Sequence, residues 1–483
     1  MSRREFVLGV ICGLAGCSQF PKQPPHSVDA NVKVRCWKIH NPNQCDYFQY
    51  YDKNGKIISL GYDDNGDGKP DAKVDLLAVG KDDSCPHYVI MLDGIPYSVL
   101  EKMYEEGHFR LFCQPSELVS TFPSMTDLAY SEMLTPGKLL GFEALYYNRE
   151  SATLSNGDLV YLKGENAPWE KRLNYRAPML LDPIGYINPR FMFNHEMSGI
   201  EKAINRSREG TIFVYTVGTA MVGTKEGGPG IMDCLRRVEI LCEKIVYERR
   251  GRCRITMLAD HGHNLTASSF FDAAEALKKN GYHVTNKLSK PNDVICIQFG
   301  LVTYTAVYTS EPAKVASSML NQEPVDLAIY PDQVDGEKKI VVRDRGGEAY
   351  VSKVNNRYRY EMVKGDPLKL RDIIKKLLLA GKVDKSGAVD DLALFEATVN
   401  HEFPDPLARI WRAFNGMVKY PPDLMLTIRD GWFSGKPGFA RSVNVKSTHG
   451  SLNWKNSVTF IMSTIKPLPK ALRMEDGEKS FGS

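Results

Sequence analysis

In "ITMLADHGHN", a carboxylate and two imidazoles fall within four residues: Asp260, His261 and His263 stand just past an apolar run. Carboxylate oxygens and imidazole nitrogens are the donors that zinc and similar divalent cations take. The structural alternative is a hydrogen-bonded histidine pair. "YVIMLDGIP" places Asp93 in the same relation to another apolar run, as a turn residue or as a second carboxylate at a strand end. "STFPSMT" places Thr121 before Phe122 and Pro123; a proline there favours a helix start, with the threonine as its cap. A third apolar run ends in "VYTVGTAMVGTKEGG", read as a glycine-rich loop. The positions where an α/β enzyme would put ligands carry Ala220 and Thr224 instead.

A different donor set lies near the N-terminus. In "DDNGDGKPD", Asp63, Asn65, Asp67 and Asp71 alternate around a tight loop, with Gly68 allowing the turn. Calcium takes several oxygens from such loops, and this one resembles the first nine positions of an EF-hand. Val74 stands where the closing glutamate belongs, with Asp75 as a substitute. The reading is a structural calcium loop, and the alternative is a charged hairpin turn.

The elements that must position these residues alternate between strand and helix. Tyr88–Leu92, Ile212–Val217 and Arg254–Ala259 read as short buried strands. A helix is expected from about Pro96 to Gly107, another through Ile231, Leu235, Val238, Leu241 and Ile245, and a third over Phe270–Lys279. This is βαβ order, which implies a mostly parallel sheet covered by helices on both faces. Residues 32–86 form a small strand-rich region with Asn54-Gly55 and Asn65-Gly66 turns. The stretch from Lys338 to Glu361 alternates like antiparallel strands, so residues 87–483 read as one domain with an insert at about 335–440.

Taken in order, Asp93, Thr121-Phe122-Pro123 and Asp260-His261 resemble the alkaline phosphatase superfamily, nearest its type I phosphodiesterase/nucleotide pyrophosphatase branch. The resemblance spans roughly Tyr88 to Asn264 plus "KSTHGSLN", and rests on the order of short motifs. It implies a three-layer sandwich around a mostly parallel sheet, and zinc as one or two ions. It also implies Asp93, Asp260 and His261 as ligands of one metal, Thr121 as nucleophile and His449 as a ligand of the second. The second metal's other ligands should follow "D-x-x-G-H-x-x-G", but the frame here reads Ala220 to Gly227 with both donors missing. Glu226, Asp233 and His263 are the candidates to replace them. "TPGKLLGFEALYYN" also departs from the glycine-rich stretch the family usually carries after the nucleophile. A sulfatase is excluded because Thr121-Phe122-Pro123-Ser124-Met125 lacks the C/S-x-P-x-R segment.

The 483 residues are enough for a large core, and the net charge of +4, with no long basic run, excludes a nucleic-acid partner. "SRREFVLGVICGLAGC" has paired arginines, an apolar stretch too short to span a bilayer, and small residues before Cys17. It resembles a bacterial lipoprotein signal, with a twin-arginine character in Arg3 and Arg4. Residues 1–17 are then the signal, Cys17 the lipidation site, and residues 18–31 a proline-rich tether. The expected location is the cell envelope, where disulfides form and Cys36 and Cys45 are the most local pair. Two functions follow. One is a membrane-anchored phosphohydrolase or phosphodiesterase with a degenerate second metal site, acting on a phosphate-ester small molecule or envelope component. The other is a non-catalytic envelope protein of the same fold.

Overall fold

The computed structural model describes residues 33–155, 157 and 167–481; the export segment, Cys17 and the tether lie outside them. Among the described residues no helix is long and apolar enough to cross a membrane. The chain builds a mixed α/β fold on two large sheets and a small one.

The first large sheet orders its strands Ala471–Arg473, Ser116–Val119, Val458–Ser463, Arg254–Ala259, His87–Leu92 and Thr211–Thr216. All run in one direction except Val458–Ser463. The central strands are continuous apolar runs because both faces are covered. Tyr88, Ile90 and Leu92 enter a core shared with the helices Tyr97–Glu105, Pro189–Arg206 and Gly228–Glu248. Val89 and Met91 enter another, shared with the helix Thr126–Leu134. Register is what matters for the site. Ala259 pairs with Leu92, and Leu92 with Thr216, so three strands end flush and the residues after them share one edge.

The antiparallel strands expected between 338 and 361 are Glu337–Arg343, Glu348–Val354 and Arg357–Lys364. They are part of a nine-stranded sheet that starts at His283–Val284 and takes in Leu424–Ile428. An insert confined to about 335–440 is therefore too narrow a description. Asp293–Ile297 and Tyr304–Thr309 pair into the same ladder before it.

The small N-terminal sheet is four antiparallel strands in sequence order, with Cys36 bonded to Cys45. It is no separate unit: Tyr47, Ile57, Leu60 and Tyr62 share their core with Val238, Leu241 and Ile245 of the Gly228–Glu248 helix. That junction buries a carboxylate. Gln49 Nε2 donates to Glu243 Oε2 at 2.8 Å, while Oε1 has no partner. Burial first, and the neighbouring Glu239 second, push Glu243 up to about 8.

A carboxyl raised in the folded state keeps its proton where the unfolded chain has lost it, so its stabilisation fades as pH rises toward the folded value. Stability should fall between about pH 4.5 and 8 through this group. Glu243→Gln should flatten that fall and raise Tm by a few degrees at pH 8, measured by calorimetry across pH. An unchanged profile would show that Glu243 is not held protonated.

Candidate metal centre

Asp93 and Asp260 stand immediately after two neighbouring parallel strands, and the register sets them side by side. Each carboxylate has one oxygen occupied and one bare. Asp93 Oδ2 accepts from Tyr215 Oη at 2.6 Å, while Oδ1 is buried with no partner. Asp260 Oδ1 accepts from the amides of Gly94 at 3.0 Å and His261 at 2.9 Å, while Oδ2 is buried with no partner. Asp93 is further held through Thr219, whose hydroxyl donates to its carbonyl at 2.6 Å and accepts from its amide at 3.0 Å.

His261 completes the group. Its Nδ1 lies 2.9 Å from the carbonyl of Gly262, which can only accept, so Nδ1 carries the proton and Nε2 presents a lone pair. That nitrogen sits 3.6 Å from Asp93 Oδ1 and 3.4 Å from Asp260 Oδ2. Three ligand atoms thus face one another, all within 4.8 Å. Burial, and then the charge of Asp260, push Asp93 well above the usual carboxylate range. Burial raises Asp260 to about 7 and lowers His261 to about 4. Two unpartnered carboxylate oxygens and an imidazole nitrogen, all desolvated, fit a divalent cation such as zinc, which takes these donors and leaves a position open when it has three of them.

The hydroxyl beside this group is Thr126, not Thr121. Thr126 Oγ1 lies 3.4 Å from both Asp93 Oδ2 and His261 Nε2, at the first residue of the Thr126–Leu134 helix. Thr121 is buried with its hydroxyl donated to the carbonyl of Pro123 at 2.9 Å. The helix starts three residues beyond Pro123, because the segment before it is tied to other elements. Arg409 Nη2 donates to the carbonyl of Thr121 at 2.8 Å and to Ser124 Oγ at 3.2 Å. Arg409 thus holds this segment through a buried guanidinium.

His449 does reach the site. Its ring stacks on His261 with centroids 3.7 Å apart, and its Nδ1 donates to the carbonyl of Ser124 at 2.9 Å. The stretch after Val217 is not a glycine-rich loop but the helix Gly218–Glu226. Glu196 caps it by accepting from the Gly218 amide at 2.8 Å. Ala220 and Thr224 lie one turn apart on this helix and line the same cavity of about 160 Å³ as Asp93, Thr126 and His449. At these positions alanine offers no donor atom and threonine only a neutral hydroxyl.

The replacements diverge. Glu226 is held by Arg190, and Asp233 by Arg190 and Arg236, in half-exposed pairs outside the cavity lining. His263 is closer. A Cβ built on Gly94 would lie 2.9 Å from His263 Nε2 and 3.2 Å from Ala220 Cβ, so the imidazole fills space beside Ala220. His263 Nδ1 is 2.8 Å from Ser447 Oγ, and its Nε2 is buried with no partner. Asp63, Asn65, Asp67 and Asp71 belong to the N-terminal sheet's hairpin turn. There Asp63 accepts from the amides of Gly66 and Gly68, and Asp71 from those of Asp64 and Asn65.

Four cavity groups were not legible as such in the sequence: Tyr215, Asp127, Arg176 and Thr126. Tyr215 orients Asp93 but reads as a core strand residue. Asp127, raised to about 6 by burial, accepts from Trp169 Nε1 at 3.0 Å. Arg176 pairs with Glu170 at 2.6 Å and Asp182 at 3.3 Å on the cavity wall. Thr126 alone had a signal, an acidic residue following it at a helix start.

No family model matches the sequence, and no curated protein matches it. Among solved structures, human ectonucleotide pyrophosphatase/phosphodiesterase 5 aligns with a TM-score of 0.44 at 10% identity, covering 81% of this chain and 92% of that one. Phosphonoacetate hydrolase from Sinorhizobium meliloti 1021, in complex with phosphonoformate, aligns with a TM-score of 0.44 at 12% identity over 82% and 95%. The murine ectonucleotide pyrophosphatase/phosphodiesterase 5 gives 0.41 at 10% over 81% and 93%.

The centre itself can be tested by heat. A divalent cation at 100 times its dissociation constant should stabilise the wild type by about 2.7 kcal/mol. Asp260→Asn should melt higher than wild type without added metal, having lost one of two crowded carboxylates, and should gain nothing from the cation. Equal cation-induced shifts in both proteins would contradict this centre.

Proposed function

We propose that this chain is a metal-dependent phosphoric ester hydrolase with an alkaline phosphatase-like three-layer fold, using the Thr126 hydroxyl as nucleophile at a single complete metal site. The observation that supports it is the convergence of two unpartnered carboxylate oxygens, Asp93 Oδ1 and Asp260 Oδ2, with His261 Nε2, whose hydrogen-bond partner is the Thr126 hydroxyl beside them.

A divalent cation held there, with zinc the first choice, supplies the positive charge that favours the alkoxide form of a hydroxyl and offsets charge on an ester oxygen. The chain's own groups do the rest. Thr126 stands in the first turn of its helix, where free amides favour an approaching anion. Its proton can pass to Asp93 Oδ2, 3.4 Å away, which Tyr215 keeps turned toward it. Asp93, Asp260 and His261 are buried, whereas Thr126 is half-buried on the cavity wall, where a substrate can reach it. His449, with His263 5.4 Å from it between ring centroids, remains where a second cation would sit, while Ala220 offers no donor and Thr224 only a hydroxyl. The substrate is then a small phosphate ester or an envelope component, and Cys17 carries the lipid that holds the protein at the envelope membrane.

Those two positions favour a second reading, a non-catalytic envelope protein that keeps one structural cation. Hydrolysis of an aryl phosphodiester with added zinc, manganese or magnesium separates the two. Thr126→Val should cut turnover by on the order of 10³-fold or more, while Thr121→Val, which also removes a hydroxyl without changing volume, should retain it. Absence of turnover with all three metals would leave the non-catalytic reading, and equal activity in both variants would remove Thr126 from its role.

A further inference from the structure

The N-terminal sheet meets the rest of the chain at an amine and a thiol. Lys56 closes the hairpin between the strands Tyr47–Tyr51 and Ile57–Tyr62, and the next amide, of Ile57, donates to the carbonyl of Arg110 at 2.8 Å. Cys113 lies three residues further along that segment and donates its amide to the carbonyl of Ser463, at the end of a strand in the six-stranded sheet. Lys56 Nζ sits 2.9 Å from Cys113 Sγ. Sulfur is larger than oxygen, yet this separation is no longer than a usual N–H···O contact of about 2.9–3.0 Å. Among the described residues no carboxylate pairs with the Lys56 ammonium; the thiol is its side-chain partner. Cys113 is 5% exposed, which bars bulky reagents, whereas Lys56 is half-buried and leaves an opening on the solvent side.

We propose that Lys56 and Cys113 form an oxidative cross-link, an Nζ–O–Sγ bridge that fastens the N-terminal sheet to the body of the protein, with hydrogen peroxide as the oxidant. In the first step Sγ attacks one peroxide oxygen; the S–O bond forms, the O–O bond breaks, and water leaves a sulfenic acid at Cys113. In the second step another peroxide takes two electrons and two protons, one from the S–O–H and one from the amine. The O–N bond forms and two waters are released. In total, thiol, amine and two peroxides give the bridge and three waters. A sulfenic acid formed at Cys113 has this amine within reach of one intervening atom, so neither backbone need move. The inference is independent of the metal centre, which shares none of these residues.

The test treats the full chain with peroxide, digests it without reductant, and reads the peptides by mass spectrometry. The expected product is the Lys56 and Cys113 peptides joined, heavier than their sum by one oxygen less two hydrogens, and separated again by dithiothreitol. The same treatment should raise Tm reversibly in the wild type and leave Lys56→Arg and Cys113→Ser unchanged. Lys56→Arg keeps the charge and the contact, so it guards against loss of folding. Free or further-oxidised Cys113 with an unlinked Lys56 peptide would overturn the bridge, as would a linked pair lacking the oxygen.

Discussion

Two buried carboxylates and the lone pair of an imidazole point at one another in the middle of this fold, and the surroundings are arranged to hold them there. Desolvated like charges at this distance repel strongly, and each unpartnered oxygen forfeits its hydration. The chain compensates on the outer oxygens only. Tyr215 donates to Asp93, the amides of Gly94 and His261 donate to Asp260, and the Gly262 carbonyl fixes the His261 tautomer. Of the inner atoms, the two carboxylate oxygens have no partner and His261 Nε2 has only the Thr126 hydroxyl. A cation between them would offset that cost, and the donor set fits one.

That constraint explains what the neighbouring elements do. Three parallel strands end flush so that Asp93, Asp260 and the cap of the Gly218–Glu226 helix meet. Arg409, entering from a helix that packs on the nine-stranded sheet, ties down residues 121–124, and Ser124 in turn fixes His449. The cavity wall opposite is furnished differently. Ala220 and Thr224 line it without a carboxylate or imidazole, and the His263 ring lies beside Ala220. A carboxylate restored at position 220 would have to share that space with the imidazole, so the two positions have to be considered together.

Much of this was legible. A carboxylate directly after a buried apolar run is conspicuous, so Asp93, Asp260 and His261 could be read from their strands, and the Arg254–Ala259 strand has the expected limits. What escaped was set by distant contacts. The choice between Thr121 and Thr126 depends on where residues 120–126 are pinned, and Arg409 does that from 288 positions away. Glycines made 218–226 look like a loop, whereas Glu196, remote in sequence, caps it as a helix. Tyr215 reads as core because its ring is core; only its hydroxyl belongs to the site. The nine-stranded sheet joins consecutive strands near one edge to others paired over long range, so local alternation showed only the part near that edge.

Anomalous X-ray scattering from crystals of the mature protein grown with zinc tests the central claim most directly. One strong peak is expected between Asp93 Oδ1, Asp260 Oδ2 and His261 Nε2, within coordination distance of all three and absent in Asp260→Asn. Two comparable peaks, or none at these atoms, would contradict a single-cation centre.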